Sequence, residues 1–394
     1  MTRTILGALA LGTFAMGVTE FTPMGLLPPI ASNLNVSIPT AGMLVTAFAI
    51  GVMVGAPVVT LLLGRLSRKT ALLSLMGLFI AGNALSAIAP DYGILVLARV
   101  LTSLSHGAFF GIGVMVAIEA APATHNASAV SSMFMGLTIA NIGGVPAATW
   151  LGTTLGWRSA FGGIAILGVL ALAALAMALP SGRHDHDAAT SVRRELRVLT
   201  SRSVVLALLT TAFGAGAMFA LFTYVAALLE RLTHASASFI TAMLALIGIG
   251  FTLGNAISGR LADKSLQATL LSFLSLLALL SFAFPFAATT HLGAAVALLL
   301  WGAATFGVVA PVQMRVMQEA HSAPGLASSV NISAFNLGNA LGATVGGWVI
   351  SAGLGYAWVA PAGGMLACIA GFIALLNRNR RTIVSNQIVL GEQA

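Results

Sequence analysis

The stretch Gly259–Lys264 reads Gly-Arg-Leu-Ala-Asp-Lys and follows the apolar run 239–258. A related stretch, Gly64–Lys69, reads Gly-Arg-Leu-Ser-Arg-Lys and follows the apolar run 40–63. The two stretches lie 195 residues apart in a chain of 394 residues. The same charged loop therefore occurs at corresponding places in the two halves of the chain, which indicates an internal repeat.

Two further pairs of segments share this spacing of 195 residues. His106–Ala108 corresponds to Trp301–Ala303, and Asn141–Gly143 corresponds to Asn336–Gly338. Each pair occupies the matching apolar run of its half, so three matches at one offset indicate a duplicated half. The chain contains twelve apolar runs long enough to span a membrane, six in each half. Because six is an even number, both copies enter the membrane from the same side, which predicts parallel repeats related by an axis along the membrane normal.

The composition predicts an integral membrane protein. Hydrophobic residues make up 58% of the chain and charged residues only 7%, whereas a soluble domain carries about 25% charged residues. A helical span needs about 20 apolar residues, and a helix satisfies the backbone groups that lipid cannot. We therefore predict an all-α membrane protein with twelve transmembrane helices in two six-helix pseudo-symmetric bundles. The apolar runs lie near residues 4–28, 40–63, 70–89, 93–117, 128–151, 159–179, 204–229, 239–258, 268–288, 292–314, 326–352 and 355–377.

The basic residues predict the orientation, because cytoplasmic loops collect Lys and Arg. With the N-terminus in the cytoplasm, Arg158 and Arg231 fall on the outer side and Arg99 lies within a span. The other fifteen of the 18 fall on the cytoplasmic side: Arg3, Arg65, Arg68, Lys69, Arg183, Arg193, Arg194, Arg197, Arg202, Arg260, Lys264, Arg315, Arg378, Arg380 and Arg381. This split predicts a multi-pass protein of the inner (plasma) membrane with both termini in the cytoplasm. The formal net charge of +8 is then explained by the loops, without a nucleic-acid partner.

The predicted domains follow from these spans. They are an N-terminal bundle (1–179), a cytoplasmic linker (180–203), a C-terminal bundle (204–377) and a cytoplasmic tail (378–394). The linker contains a His-Asp-His-Asp run at 184–187, which we interpret as a solvated segment rather than a metal site, since no second ligand cluster accompanies it. No phosphate-binding Gly-Lys-Ser/Thr loop or nucleophile elbow is present, so we expect no cofactor, no metal and no enzyme activity, and a monomer by default.

Three ionisable residues lie well inside predicted spans, where a charge costs about 2.5–3.5 kcal/mol at the helix centre. They are Glu20 in span one and Arg99 and His106 in span four. At 1.5 Å per residue, Glu20 and Arg99 both lie roughly 10 Å below the outer surface and can meet if the two helices are neighbours. Arg99, Ser103, His106 and Phe110 share one helix face, which we expect to face a wet cavity rather than lipid.

Two interpretations of these residues remain open. In the first, Glu20 carries the proton and is tuned by Arg99 and His106; in the second, Glu20 and Arg99 form a permanent pair that joins two helices. His106 either relays a proton or is a neutral histidine hydrogen-bonded within the bundle.

Candidate substrate-binding residues are amide and aromatic side chains inside the spans. The asparagines are equally able to join helices by hydrogen bonds, and the aromatic residues to pack in the core or against lipid. The candidates are Phe14, Phe110, Asn141, Phe213, Tyr224 and Asn336.

The motifs resemble those of the major facilitator superfamily. Gly259–Lys264 is similar to its loop motif, Arg99 with Ser103 to its span-four motif, and the glycine-rich run Gly136–Gly156 to the span-five motif of its proton-coupled antiporters. Three shorter segments resemble the arabinose-efflux-permease-like branch of the twelve-span drug:proton antiporters: Thr19–Phe21, His106–Gly111 and Gly156–Arg158. The resemblance implies that spans one and four are neighbours.

The resemblance also implies two loops that change conformation, with one departure from the family pattern. The family loop carries an acid where the first copy has Arg68, and only the second copy keeps it, as Asp263. The loop residues are Gly64, Arg65 and Arg68 in the first copy and Gly259, Arg260 and Asp263 in the second.

The function that the resemblance implies is proton-coupled efflux of a small organic solute such as a sugar, a nucleoside or a drug. The proton gradient drives it, and the partners are the solute, protons and the lipid bilayer. Two alternatives remain: a proton-coupled uptake symporter or facilitator, and a transporter-like sensor that binds a ligand without moving it.

Overall fold

Long apolar helices form both halves of the chain. The computed structural model describes residues 2–63, 66–122, 126–180, 200–320 and 324–391, and within these ranges the regular structure is helical, without a strand. The N-terminal half contains α1 (Thr2–Asn33), α2 (Ile38–Leu63), α3 (Arg68–Ile88), α4 (Tyr92–Ala120), α5 (Asn126–Ile139), α6 (Val145–Thr154) and α7 (Trp157–Ala178).

The C-terminal half repeats this order of helices. Its helices are α8 (Arg202–Thr223), α9 (Val225–Leu232), α10 (Ala237–Lys264), α11 (Leu266–Ala287), α12 (His291–Glu319), α13 (Pro324–Ser351) and α14 (Val359–Gly391), with a short 3₁₀ turn, Tyr356–Trp358, before α14. In each half two helices join into one span: α5 continues into α6, and α8 continues into α9.

The helices are long enough to cross a bilayer. In the part of the chain that is described, eleven helices have both the length and the apolar composition of a membrane span. The remaining predicted span corresponds to α13, which has 28 residues but is made less apolar by Asn331, Asn336 and Asn339 and by several glycines. The predicted all-α membrane fold is confirmed.

Helix packing repeats between the halves at the predicted offset. A methyl group built on Gly55 of α2 would lie 2.7 Å from Leu104 Cδ2 on α4. In the second half, a methyl group on Gly250 of α10 would lie 2.5 Å from the carbonyl oxygen of Leu299 on α12. Gly55 and Gly250, like Leu104 and Leu299, are 195 residues apart, so the duplicated sequence produces a duplicated close helix contact.

Three local features were absent from the sequence prediction. A π-helical turn, Ala140–Gly144, joins α5 to α6 just before Pro146, whose missing N–H prevents a regular helical hydrogen bond. The span formed by α8 and α9 is interrupted at Tyr224. Helix α14 continues beyond the predicted end of its span at residue 377 to Gly391, because no Pro or Gly intervenes and an existing helix extends easily.

The two halves meet at the end of the bundle where α1 ends and α2 begins. Phe21 of α1 lies between Phe219 and Phe222 of α8, with ring centroids 6.3 and 5.6 Å apart. Near the same end, the hydroxyls of Thr46 on α2 and Thr344 on α13 are 3.4 Å apart. In the predicted orientation this is the outer end of the protein.

Tyr224 fills the space between the halves at this end. Its side chain is fully buried, and its hydroxyl donates a hydrogen bond to the carbonyl of Ala343 on α13 at 2.8 Å. Glycines surround the ring: a methyl group on Gly42 of α2 would lie 2.7 Å from Tyr224 Cε1, and one on Gly347 of α13 would lie 2.6 Å from the phenol oxygen. The phenol is therefore enclosed from both halves.

A second close approach at the interface involves the π-helical turn. A methyl group on Gly248 of α10 would lie 2.6 Å from the carbonyl carbon of Asn141. The glycine thus lets the backbone of the C-terminal half rest against the backbone of the turn.

Candidate functional site

Glu20 and His106 meet inside the N-terminal half. Glu20 lies on α1 and His106 on α4, and the Glu20 Oε2 atom is 3.4 Å from His106 Nε2. Glu20 is 8% exposed and His106 7% exposed. The sequence selected both residues, and the structure places them in direct contact.

Arg99 reaches α1 through a neighbouring threonine. Its Nη1 atom donates a hydrogen bond to Thr19 Oγ1 at 3.0 Å, and the Thr19 hydroxyl donates to Asn83 Oδ1 on α3 at 2.6 Å. The Asn83 amide is held in turn by the carbonyl of Phe79, at 2.9 Å. This chain of hydrogen bonds links α1, α3 and α4.

Aromatic rings complete the surroundings of the guanidinium group. Arg99 has no exposed surface, and its Cζ atom lies 4.4 Å from the ring centroid of Phe48 and 5.6 Å from that of Phe161. A cation over a ring face is stabilised by the ring quadrupole, most strongly when water is excluded. Phe48 also presents its edge to the His106 ring, at 5.6 Å between centroids.

The permanent ion pair between Glu20 and Arg99 is not formed here. Among the ion pairs of the described residues, the partner of Glu20 is His106, and the hydrogen bond of Arg99 goes to Thr19. Arg99 is therefore held beside the carboxyl group by Thr19, the residue that precedes Glu20, rather than by the carboxylate itself.

The shared face of α4 is buried within the bundle rather than turned to lipid, and a wet cavity beside it stays a prediction. Arg99 and Ser103 are fully buried, and the Ser103 hydroxyl donates to the carbonyl of Val100 at 2.6 Å. Phe110 lies between His106 and Phe134, with centroid distances of 5.0 and 5.4 Å. Three buried polar atoms of this face, Arg99 Nε, Arg99 Nη2 and His106 Nδ1, have no hydrogen-bond partner among the described residues.

Sequence reasoning missed Thr19 and Asn83. Asn83 lies within a predicted span, where a polar side chain is itself a signal of function. Threonines are common in membrane helices, where the hydroxyl often donates a hydrogen bond to a carbonyl of its own helix. Nothing in the sequence therefore indicated that Thr19 accepts a hydrogen bond from Arg99.

Two substrate candidates of the N-terminal half, Phe14 and Asn141, lie at the π-helical turn. A methyl group on Gly144 would lie 2.9 Å from Phe14 Cε2, and Asn141 is part of the turn. The Asn141 Nδ2 atom donates to the carbonyl of Leu137 at 3.0 Å, within its own span. Phe110, the third candidate of this half, lies beside His106.

The C-terminal candidates lie in three different surroundings. The Asn336 Nδ2 atom donates to the carbonyl of Ile332 at 3.0 Å. This bond is the counterpart of the one made by Asn141, since the two asparagines are 195 residues apart. The Asn336 Oδ1 atom is buried and has no hydrogen-bond partner among the described residues. Phe213 is half-buried and packs between apolar clusters. Tyr224 is enclosed between the halves. Binding roles for these residues remain predictions.

The predicted conformational loops are only partly described. Gly64 and Arg65 lie outside the described residues. Arg68 begins α3 and forms an ion pair with Glu119 near the end of α4, so the basic residue that departs from the family pattern has an acidic partner. In the second copy, Gly259, Arg260 and Asp263 form the last turns of α10, with the two charged side chains exposed.

The described residues contain no group of three His, Cys, Asp or Glu side chains that could hold a metal ion. The His-Asp-His-Asp run at 184–187 lies outside them.

A duplicated helical bundle, an interface that joins its halves at one end and a buried ionisable cluster within one half are the features of a secondary transporter. The family model described as Major Facilitator Superfamily matches residues 9–331. The chain is 56% identical over 374 residues to the Escherichia coli (strain K12) protein called Inner membrane transport protein YdhP, covering 95% of this chain and 96% of the relative. It is 33% identical over 372 residues to a Chloramphenicol resistance protein of Streptomyces lividans, covering 93% and 94%.

Among solved structures, a D-xylose-proton symporter superposes with a TM-score of 0.77, at 18% identity and with 94% and 97% of the two chains covered. At this identity the likeness concerns the fold. The chain belongs to the Major Facilitator Superfamily, so the predicted fold and family are confirmed, and it is a membrane transporter rather than an enzyme.

Proposed function

We propose that this transporter of the inner membrane exchanges protons for a small organic solute and moves the solute out of the cell. The contact between Glu20 and His106 carries the proposal, because a buried carboxyl and a buried imidazole 3.4 Å apart can share one exchangeable proton. The names of two relatives, an inner-membrane transport protein and a chloramphenicol resistance protein, support the location and the outward direction.

The position of Glu20 couples its surroundings to the movement of the halves. The next residue, Phe21, packs against Phe219 and Phe222 of the other half. When the halves separate at this end, Phe21 loses these contacts, and water gains access to the helix segment that carries Glu20. Proton exchange at Glu20 then accompanies the change of conformation.

Arg99 acts as a fixed positive charge beside this site. Thr19 and the rings of Phe48 and Phe161 hold the guanidinium group, so it stabilises a carboxylate at Glu20 without forming the direct pair that would lock the helices together. His106 is the first proton acceptor or donor for Glu20.

The proton gradient supplies the energy for transport, and no cofactor takes part. The monomer is the functional unit. One charge that crosses a potential of 100 mV gains about 2.3 kcal/mol, which corresponds to nearly a fiftyfold concentration ratio (about tenfold per 1.4 kcal/mol), and the pH difference adds to it.

Everted membrane vesicles with an acidic lumen test the proposal. Chloramphenicol and a panel of sugars and nucleosides are added outside, and the lumenal pH is recorded with a fluorescent probe. An antiporter releases lumenal protons when its solute is added. A Glu20→Gln variant should lose this release while remaining folded, and Glu230→Gln, an exposed acid on α9, serves as the matched control.

Other outcomes would identify the alternatives. Acidification of the lumen on adding solute would indicate symport, solute movement without proton movement a facilitator, and binding without either movement a sensor. Proton release that survives Glu20→Gln would refute the role of Glu20. Loss of the folded protein in Glu20→Gln would show that the residue is structural.

A further inference from the structure

A buried amide on α3 lies at the far end of the hydrogen-bond chain that holds Arg99. The Asn83 side chain has no exposed surface, and its Nδ2 atom donates to the carbonyl of Phe79 at 2.9 Å. Its Oδ1 atom accepts the hydroxyl of Thr19 at 2.6 Å. Turning the amide over would bring two acceptor oxygens together at Phe79, so the orientation of the amide is fixed.

The fixed amide determines which way the Thr19 hydroxyl points. A threonine hydroxyl has one proton to donate and lone pairs that accept. Thr22, one turn further along α1, donates its proton to its own helix, at the carbonyl of Val18, at 2.6 Å. Thr19 instead donates its proton to Asn83 of α3. The Thr19 oxygen is thereby directed towards α3 and α4, where it accepts the hydrogen bond of Arg99 Nη1 at 3.0 Å.

The segment of α3 that carries Asn83 rests on the backbone of α4. A methyl group on the preceding residue, Gly82, would lie 2.8 Å from the backbone nitrogen of Thr102, three residues after Arg99. A side chain at position 82 would therefore push the two helices apart. Backbone packing thus sets the distance between the Asn83 amide and the part of α4 that carries the arginine.

Arg99 has hydrogen-bond donors that the described residues leave unused. Its Nε and Nη2 atoms make no hydrogen bond with any of them. These two atoms form one edge of the guanidinium group, and such an edge binds a carboxylate by two parallel hydrogen bonds. Because an unpaired buried donor is destabilising, an Arg99 released from Thr19 would turn to the nearby Glu20 carboxylate.

The residues of this hydrogen-bond chain occur in the repeat that contains the acid. At the offset of 195 residues, the positions of Thr19, Glu20, Asn83 and Arg99 are all occupied by residues without a polar side chain. These residues are Gly214, Ala215, Ala278 and Ala294. The chain of hydrogen bonds therefore accompanies the carboxyl group and is not part of the scaffold that the two halves share.

We infer that Asn83 is a positioning residue for the proton site, because through Thr19 it holds Arg99 beside Glu20 and prevents the two from closing into a direct ion pair. The inference rests on the proposed function, since it concerns how the proposed exchange site is kept ready. The charged and titratable groups that face Glu20 are His106 and Arg99, both on α4, and α3 contributes the neutral amide. Without that amide, the Thr19 hydroxyl returns to its own helix, and Arg99 pairs with Glu20 and keeps it ionised.

Infrared titration of the full chain in lipid nanodiscs tests the inference. A protonated carboxylic acid has a carbonyl band that a carboxylate lacks, and the part of the band that disappears in Glu20→Gln belongs to Glu20. Asn83→Leu keeps the size of the side chain and removes the amide. The pH at which half of the Glu20 band remains should then fall by about 1–3 pH units, the effect of an arginine in contact with a carboxyl group. Asn83→Ala should give the same result and decides the question if the leucine variant does not fold.

Ser86→Ala, on the same helix, is the matched control. Ser86 is also fully buried, but its hydroxyl donates within α3, to the carbonyl of Gly82 at 2.9 Å. Its removal should leave the Glu20 titration unchanged. Thr19→Val should shift the titration as Asn83→Leu does, and the double variant should shift it no further, because both residues act through one chain of hydrogen bonds.

Four results would overturn the inference. They are an unchanged titration in the Asn83 variants, an equal shift in Ser86→Ala, shifts of Asn83→Leu and Thr19→Val that add in the double variant, and a wild type whose Glu20 is ionised at every pH. The titration needs no solute, which separates it from the proposed function. The expected shifts in a protein whose everted vesicles release no protons on adding solute would leave the role of Asn83 standing and refute antiport.

Discussion

Replacing Gly42 by alanine tests whether Tyr224 closes the outer end. The new methyl group would lie 2.7 Å from Tyr224 Cε1 and Cζ, a separation that Cβ atoms do not tolerate. The ring has no room to retreat, since methyl groups on Gly346 and Gly347 would lie 2.7 and 2.6 Å from its other atoms. Relief requires the phenol to leave Ala343 or the halves to separate.

The cost can be bounded from these contacts. Overpacking by one methyl group costs about 1–3 kcal/mol, and loss of the hydrogen bond to Ala343 costs about 0.5–1.5 kcal/mol. Because the clash exists only in the closed state, a destabilisation of about 1–3 kcal/mol shifts the equilibrium towards the open state by about 5–150-fold.

Electron–electron double resonance measures this shift directly. Spin labels are attached at Ser32 and Leu354, exposed residues at the outer end of the two halves, and the distance between the labels reports the separation of the halves there. The exposed Cys368 is replaced by alanine in every variant. We expect a short distance in the wild type and an added long distance in Gly42→Ala.

The matched control is Gly77→Ala on α3, where a methyl group meets nothing within 4 Å. It carries the same change in helix propensity, about 0.5–1 kcal/mol, without the clash. A distance distribution for Gly42→Ala that matches Gly77→Ala would refute the reasoning. Adding Tyr224→Leu, which removes the clashing atoms, should restore the short distance.

Three further substitutions test contacts within the N-terminal half. Arg158→Lys loses the paired donation to the Ala89 carbonyl, at 3.1 and 2.6 Å, and should lower the free energy of unfolding by about 1–3 kcal/mol, measured by thermal unfolding in detergent. Lys69→Met removes the ammonium group that two carbonyls at the end of α7 bind at 2.6–2.7 Å, and should cost about 1–2 kcal/mol in the same assay; an unchanged melting temperature would contradict it. Thr19→Val deprives the buried guanidinium of Arg99 of its hydroxyl partner and should reduce proton release in vesicles at least tenfold (about 1.4 kcal/mol) while solute binding persists; normal proton release would show that Arg99 needs no such support.

The sequence predicted the spans well, but it did not predict how each helix is rotated about its axis. Hydropathy predicted where each span lies along the chain, and the repeat predicted equivalent halves, which the contacts of Gly55 and Gly250 reproduce. Depth alone put Glu20 level with Arg99. Which neighbour each side chain meets depends on the rotation of helices about their axes, and this made His106 the partner of Glu20 and Thr19 that of Arg99.

Backbone irregularities were beyond the reach of hydropathy. The π-helical turn beside Pro146 and the interruption at Tyr224 leave the apolar character of their spans unchanged. Both lie where the halves touch, with Gly248 against Asn141 and Gly42 against Tyr224. An apolar run predicts that a helix crosses the membrane, but it does not predict which residues far along the chain the helix contacts.

The duplicated scaffold places Trp301 where the first half has His106, and that indole is fully buried beside Phe222, with ring centroids 6.3 Å apart. One repeat thus keeps a titratable group at a position that its twin gives to an aromatic ring. An indole does not titrate near neutral pH, so at this depth in the bundle only the first half offers a ring nitrogen that can take up a proton. The two copies are therefore equivalent as scaffolds and different as chemical surroundings.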